Sequence, residues 1–137
     1  DTEKDVTFYI DKSNLKSTGS SYYKEDSIHF DEAIENIVRT TTLDNLLGEY
    51  GGFDFIKIDT QGSELDILRG GSAIVKYAKY ILLEVSTQVY NLDAPLYDEV
   101  IKYMKSIGFE NQEIIDNHIN NKGDVFQLDI LFSKGMK

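Results

Sequence analysis

Three polar side chains in the run FDFIKIDTQGSELDILRGG, Phe53 to Gly71, have types and positions suited to chemistry: Asp59, Gln61 and Glu64, with Gly62 between them. A fourth, Glu84, stands near the end of a second apolar run, YILLEVS. A carboxylate that ends an apolar strand is costly to bury unless it is paired, hydrogen-bonded or used. Asp59 is therefore either a working group facing a ligand or the anchor of an Asx turn or of a pairing on the loop near Lys57. Gly62 permits a sharp bend and close approach of backbone to a ligand. Glu64 falls in the first turn of the following helix, where the helix dipole favours negative charge. Strand, Gly turn and capped helix are also ordinary α/β architecture, so Glu64 has a structural reading beside the functional one. Glu84 has one too, as a brace for the adjacent turn.

Other chemistries find little support. With no Cys among 137 residues, there is no disulfide, thiolate zinc site or thiol nucleophile, which fits a reducing, cytoplasmic setting. The run RGGSAIVK lacks the Gly-x4-Gly-Lys-Ser/Thr spacing of a phosphate-cradling loop. Asp54 and Asp59 are an odd number of residues apart, on opposite faces of a strand, and do not make a shared metal site. No metal is expected. His29 and His118 lie in polar, loop-like stretches and read as solvent-exposed bystanders. The net charge of -10 repels phosphate backbones and anionic membranes, so neither nucleic acid nor membrane is an expected partner. With that acidic balance, Tyr22, Tyr23, Tyr77, Tyr80, Tyr90 and Tyr97 read as core or rim aromatics rather than a base-stacking platform.

The elements that must position these groups follow from pattern. VTFYI, Val6 to Ile10, reads as a strand followed by a Ser-rich loop. The stretch from Ser27 to Thr40 is ambiguous between helix and strand, with a short strand near Ile37 to Thr40 favoured. Thr41 and Asp44 have capping-box spacing ahead of an apolar stripe of Leu43, Leu46, Leu47 and Tyr50. A strand from Phe53 to Asp59 follows, then a helix opened by Ser63 and stopped by Gly70 and Gly71. YILLEVS, Tyr80 to Ser86, reads as a strand buried on both faces. A helix with Pro95 in its first turn carries Leu96, Val100, Met104 and Ile107 on one stripe, and Gly108 ends it. FENQEII and VFQLDILF, parted by NHINNKGD, read as a closing antiparallel pair at one edge. The expected fold is a single α/β domain over residues 1–137, its sheet mostly parallel with an antiparallel C-terminal hairpin. Ligands of such sheets gather beyond the carboxyl ends of parallel strands, where Asp59, Gln61 and Glu84 should stand.

The order TTTLDNLL, then FDFIKIDTQGSELDILRGG, then YILLEVS, then a helix ending in GF and a closing hairpin resembles the FkbM family of S-adenosylmethionine-dependent methyltransferases. IKIDTQGSE is the specific part, and the likeness extends over Thr40 to Phe132, with VTFYI fitting loosely. The resemblance implies a class I Rossmann-like methyltransferase fold that uses S-adenosylmethionine to methylate a hydroxyl of a sugar or small metabolite. By position it places Asp59 beside the cofactor's methyl group as base or orienting group, Gln61 on the cofactor side, Gly62 and Glu64 shaping the turn, and Glu84 ending the next strand. Many relatives have Glu where this chain has Gln61. The Gly-rich turn and ribose-binding acid of the family have no counterpart before Val6, so the chain reads as a C-terminal half, expected to bind the cofactor weakly by itself. Without a neighbouring first strand, Phe53 to Asp59 would present an open edge, covered either by Val6 to Ile10 folding back or by a second copy in a homodimer. A non-catalytic remnant that uses this edge to bind a partner is the competing reading.

Overall fold

The computed structural model describes residues 2–12, 20–25, 33–89 and 91–135. His29, Tyr90 and most of the Ser13 to Lys24 loop lie outside the described residues. Two antiparallel strands, β1 (Asp5–Ile10) and β2 (Ile34–Arg39), form a small sheet of their own. Within the ambiguous stretch, Ile34–Arg39 is a strand, starting three residues before and ending one residue before the short strand expected near Ile37 to Thr40; residues 27–32 lie outside the described residues. After α1 (Leu43–Leu47) and a 3-10 turn, Gly48–Tyr50, the chain enters β3 (Phe55–Ile58), α2 (Glu64–Gly70), α3 (Ser72–Val75) and β4 (Tyr80–Ser86). It closes with α4 (Tyr97–Ser106), β5 (Asn111–Ile119) and β6 (Val125–Ser133).

The main sheet has the order β3-β4-β6-β5. Only β3 and β4 are parallel; β6 is antiparallel to both β4 and β5. The expectation of a mostly parallel sheet is therefore wrong for the described residues. The tight connection around Asn120–Asp124 makes β5 and β6 a hairpin, and β6 docks directly on β4, so two of the three ladders run antiparallel. The fold-back of Val6 to Ile10 over the outer edge of β3 does not occur either. Those residues pair with Ile34 to Val38 instead, and no described residue pairs with that edge.

One face of the sheet carries the core. Ile58, Ile81, Leu83, Val85, Ile130 and Phe132 pack against Leu65 and Leu68 of α2, Val75 of α3 and Val100 and Met104 of α4. Burying each such side chain stabilises by about 1.5–3 kcal/mol. Strand alternation sends Phe55, Lys57 and Asp59, then Leu82 and Glu84, then Gln127 and Asp129, to the opposite face.

Local details depart from pattern in three places. Thr42, not Thr41, caps α1 by accepting from the Asn45 N–H at 3.1 Å. Asp44, no longer needed there, accepts from the backbone of Ala73 and Ile74 at 3.0 Å each, capping α3 from a different helix. That external cap lets a helical turn restart straight after Gly70 and Gly71. The stripe on α1 is not buried: Leu46 and Tyr50 are 62% and 75% exposed. Pro95 precedes α4, whose N-cap is Leu96.

Candidate active site

The carboxyl ends of β3 and β4 lie side by side, because the parallel ladder sets Ile58 opposite Leu83. Asp59 leaves β3 with its side chain 43% exposed and ion-paired to Lys57 at 3.2 Å. The loop after it turns on Gln61, whose φ of 54° is unusual for a residue with a Cβ. Surrounding bonds over-determine that conformation. The Gln61 carbonyl accepts from Asn91 Nδ2 at 2.8 Å and from Ser21 Oγ at 3.0 Å, both side chains buried. The Gln61 amide donates in turn to Glu84 Oε1 at 2.8 Å. Gly62 follows at φ 104°, so close to the next loop that a Cβ there would lie 2.7 Å from that of Ala94. Here the glycine is required twice over, by conformation and by space.

Glu64 has turned back into this loop. Its Oε1 accepts from the N–H groups of Thr60 at 3.0 Å and Gly62 at 3.1 Å, and from the Thr60 hydroxyl at 3.2 Å. Burial raises its carboxyl above the usual range, against the pull of these backbone donors. Ser63 makes no side-chain cap to α2 and donates to the Thr60 carbonyl instead. The hydroxyls of Tyr22 and Tyr23 both donate to Asp66 of α2, tying residues 20–25 down beside the loop.

A Methyltransferase FkbM domain matches residues 1–110. The chain belongs to that family. No curated protein and no solved structure matches it. The FkbM match takes in β1, which the sequence likeness reached only loosely, and β2, which it did not reach, and stops before β5 and β6, which that likeness included.

Within this FkbM domain Glu84 is the hub of the strand-end groups. Its Oε1 accepts from Gln61 Nε2 and Gln127 Nε2, each at 2.8 Å. Burial, then the charge on Asp59, raise its carboxyl; His118 opposes, and Asp129 and Glu64 push further upward. The structure thus brings Asp59, Gln61 and Glu84 to one corner and leaves Glu64 behind the loop as its anchor. Sequence reasoning missed three members of the corner: Gln127, His118 and Asp129. Nε2 of His118 lies 3.7 Å from Glu84 Oε2 and 3.5 Å from Asp129 Oδ1. His118 was read as a loop residue because its strand runs farther than pattern showed. A register shift between Ile114 and Asp116 breaks the alternation and hides the continuation to Ile119. A lone Asp inside VFQLDILF was the available signal for Asp129.

An apolar groove of about 520 Å³ runs along β3 to this corner, between Leu43, Leu47, Phe53, Phe55 and Ile74, with Asp59 and Thr60 at one end. No helix among the described residues is long and apolar enough to cross a membrane.

Proposed function

We propose that this FkbM domain serves S-adenosylmethionine-dependent methyl transfer to a hydroxyl of a sugar or small metabolite, with the reacting groups gathered at the carboxyl ends of β3 and β4. The observation that carries the reading is the convergence of Asp59, Gln61 and Glu84 on that corner of the only parallel ladder among the described residues, in a chain of a methyltransferase family. The donor set suits the cofactor's chemistry. Its sulfonium is cationic, and Asp59 supplies negative charge at the end of an apolar groove. Asn91 Oδ1, buried and without a hydrogen-bond partner among the described residues, offers an acceptor against the same loop. S-adenosylmethionine supplies, when bound, a methyl group activated by that sulfonium.

The chain's own residues then have distinct tasks. Asp59, half-exposed and next to the groove, accepts or orients the proton of the acceptor's hydroxyl, a contribution of about 10² to 10⁴ in rate for a positioned base. Gln61 and Gln127 fix the rotamer of Glu84, so that its charge stays in place. Glu64 and Gly62 hold the loop that sets Asp59's direction. Alignment of acceptor and cofactor does the rest, since displacement at a methyl carbon depends on orientation more than on covalent help. The test is transfer of labelled methyl from S-adenosylmethionine by the full-length protein to a panel of sugars and hydroxylated metabolites.

One observation favours a second reading, in which the edge of β3 pairs with another copy of the chain. Phe53 and Phe55 are 37% and 53% exposed beside an edge with which no described strand pairs, and the strand contains no proline to block pairing. Sedimentation of the purified protein distinguishes the two states: pairing requires a dimer.

A further inference from the structure

His118, Glu84 and Asp129 come from three adjacent strands, β5, β4 and β6, and meet on the sheet face away from the helices. Glu84 and Asp129 are direct cross-strand partners, so two carboxylates stand side by side. Like charges directly opposite are destabilising in a sheet unless something compensates them. Among the described residues neither is ion-paired with a lysine or arginine. One Glu84 oxygen is taken up by two amide donors, Gln61 and Gln127, which leaves the other, Oε2, turned to His118. Although the outer edge of the imidazole is exposed, its Nε2 atom is shut off from solvent and has no hydrogen-bond partner. That nitrogen stands 3.5 and 3.7 Å from the two carboxylate oxygens, too far to be a normal donor to either.

We propose that Glu84, His118 and Asp129 form a binding site for a divalent transition-metal ion. One ligand atom from each residue falls within 4.8 Å of the others. Neighbouring ligands on a tetrahedral ion with bonds of 2.0–2.2 Å stand about 3.4 Å apart, so His118 Nε2 already stands within a few tenths of an ångström of that spacing from each carboxylate oxygen. An imidazole with two carboxylates suits zinc or manganese more than calcium or magnesium, which prefer all-oxygen sites. The amides of Gln61 and Gln127 act as outer partners that orient the Glu84 carboxylate, a recurring feature of metal sites. Three protein ligands leave the fourth position of a tetrahedral ion for water or another ligand. The site stands independently of the methyl-transfer reading, since it is detected without turnover.

The experiment is titration of the full-length protein, freed of metal by chelation, with Zn2+ by calorimetry and with Mn2+ by electron paramagnetic resonance. One ion per chain, saturating, is expected for at least one of the two. His118→Gln and Asp129→Asn should each weaken it by ~10- to 100-fold or more, because loss of an outer partner alone has that effect. Should a variant unfold, the wild type still decides: the ion that binds must alter the His118 ring resonances in the nuclear magnetic resonance spectrum, Mn2+ by broadening them and Zn2+ by shifting them. No saturable binding of either ion overturns the site. So does binding that folded variants retain in full, or that leaves the His118 ring resonances unchanged.

Discussion

Replacing Glu64 by Ala and by Gln should separate the loop-holding role of its oxygen from the role of its charge. The Ala variant leaves the N–H groups of Thr60 and Gly62 without their acceptor, in a loop whose Gly62 is buried. Each unsatisfied group costs about 1–3 kcal/mol, less where water reaches it, so Glu64→Ala should lose about 3 kcal/mol, or roughly 10 °C in melting temperature for a chain of this size. The Gln variant keeps an acceptor oxygen and removes the charge, so its loss is smaller and changes with pH. Burial raises the Glu64 carboxyl in the folded state. As pH rises from acid, the unfolded chain releases its proton first, near the ordinary value of ~4.3, and gains stability relative to the folded chain. The stabilising excess of wild type over Glu64→Gln is thus fully present below that value and is lost as pH rises through the raised folded value. Thermal unfolding of the three proteins across acid to neutral pH measures both effects. An Ala variant within ~0.5 kcal/mol of wild type, the range of an ordinary surface substitution, would refute the loop-anchor role. A wild-type margin over Gln that grows with pH would refute the sign.

Gly62→Ala should cost about 1–3 kcal/mol, because the new Cβ meets Ala94 and the backbone must hold φ 104°; chemical denaturation reads it, and an unchanged midpoint would show that the loop gives way freely. If β3 pairs across its open edge, Phe55→Lys should turn a dimer into a monomer in sedimentation while circular dichroism stays unchanged. A monomeric wild type rules that pairing out. Leu83→Ala, at the fully buried centre of β4, should cost about 2–5 kcal/mol in the same denaturation assay; a loss below 1 kcal/mol would mean the core does not sit on this face.

The parallel unit was legible because its signals are local. IKID and YILLEVS are short apolar runs with an acid at or near the carboxyl end, and the Gly62 turn between them fits a tight strand-to-helix bend. Asp59, Gln61 and Glu84 could be placed together from that alone. What could not be read was pairing at long range. Nothing in VFQLDILF says that it docks on β4 rather than only on its hairpin partner, and that docking makes the sheet mostly antiparallel and brings Asp129 opposite Glu84. His118 was hidden by a bulge, which shifts the two-residue period within β5. Asp44 illustrates the same limit: its spacing after Thr41 suggested a local cap, while its carboxylate serves the N-terminus of α3, 29 and 30 residues away. The apolar stripe on α1 looked like core, yet periodicity alone does not supply the surface that would cover it.

The central claim is that Asp59, at the end of β3, works on the acceptor rather than merely closing the turn. Its ion pair with Lys57 is partly exposed and worth about 0–1 kcal/mol, so Asp59→Asn should hardly change stability. The decisive measurement is methyl transfer from labelled S-adenosylmethionine by the full-length protein, wild type beside Asp59→Asn, with melting temperatures taken on the same samples. The account predicts turnover lower by about 10² to 10⁴ in the Asn variant, with melting temperature nearly unchanged. Equal turnover in a folded Asn variant, or a variant that loses activity only because it unfolds, would contradict it.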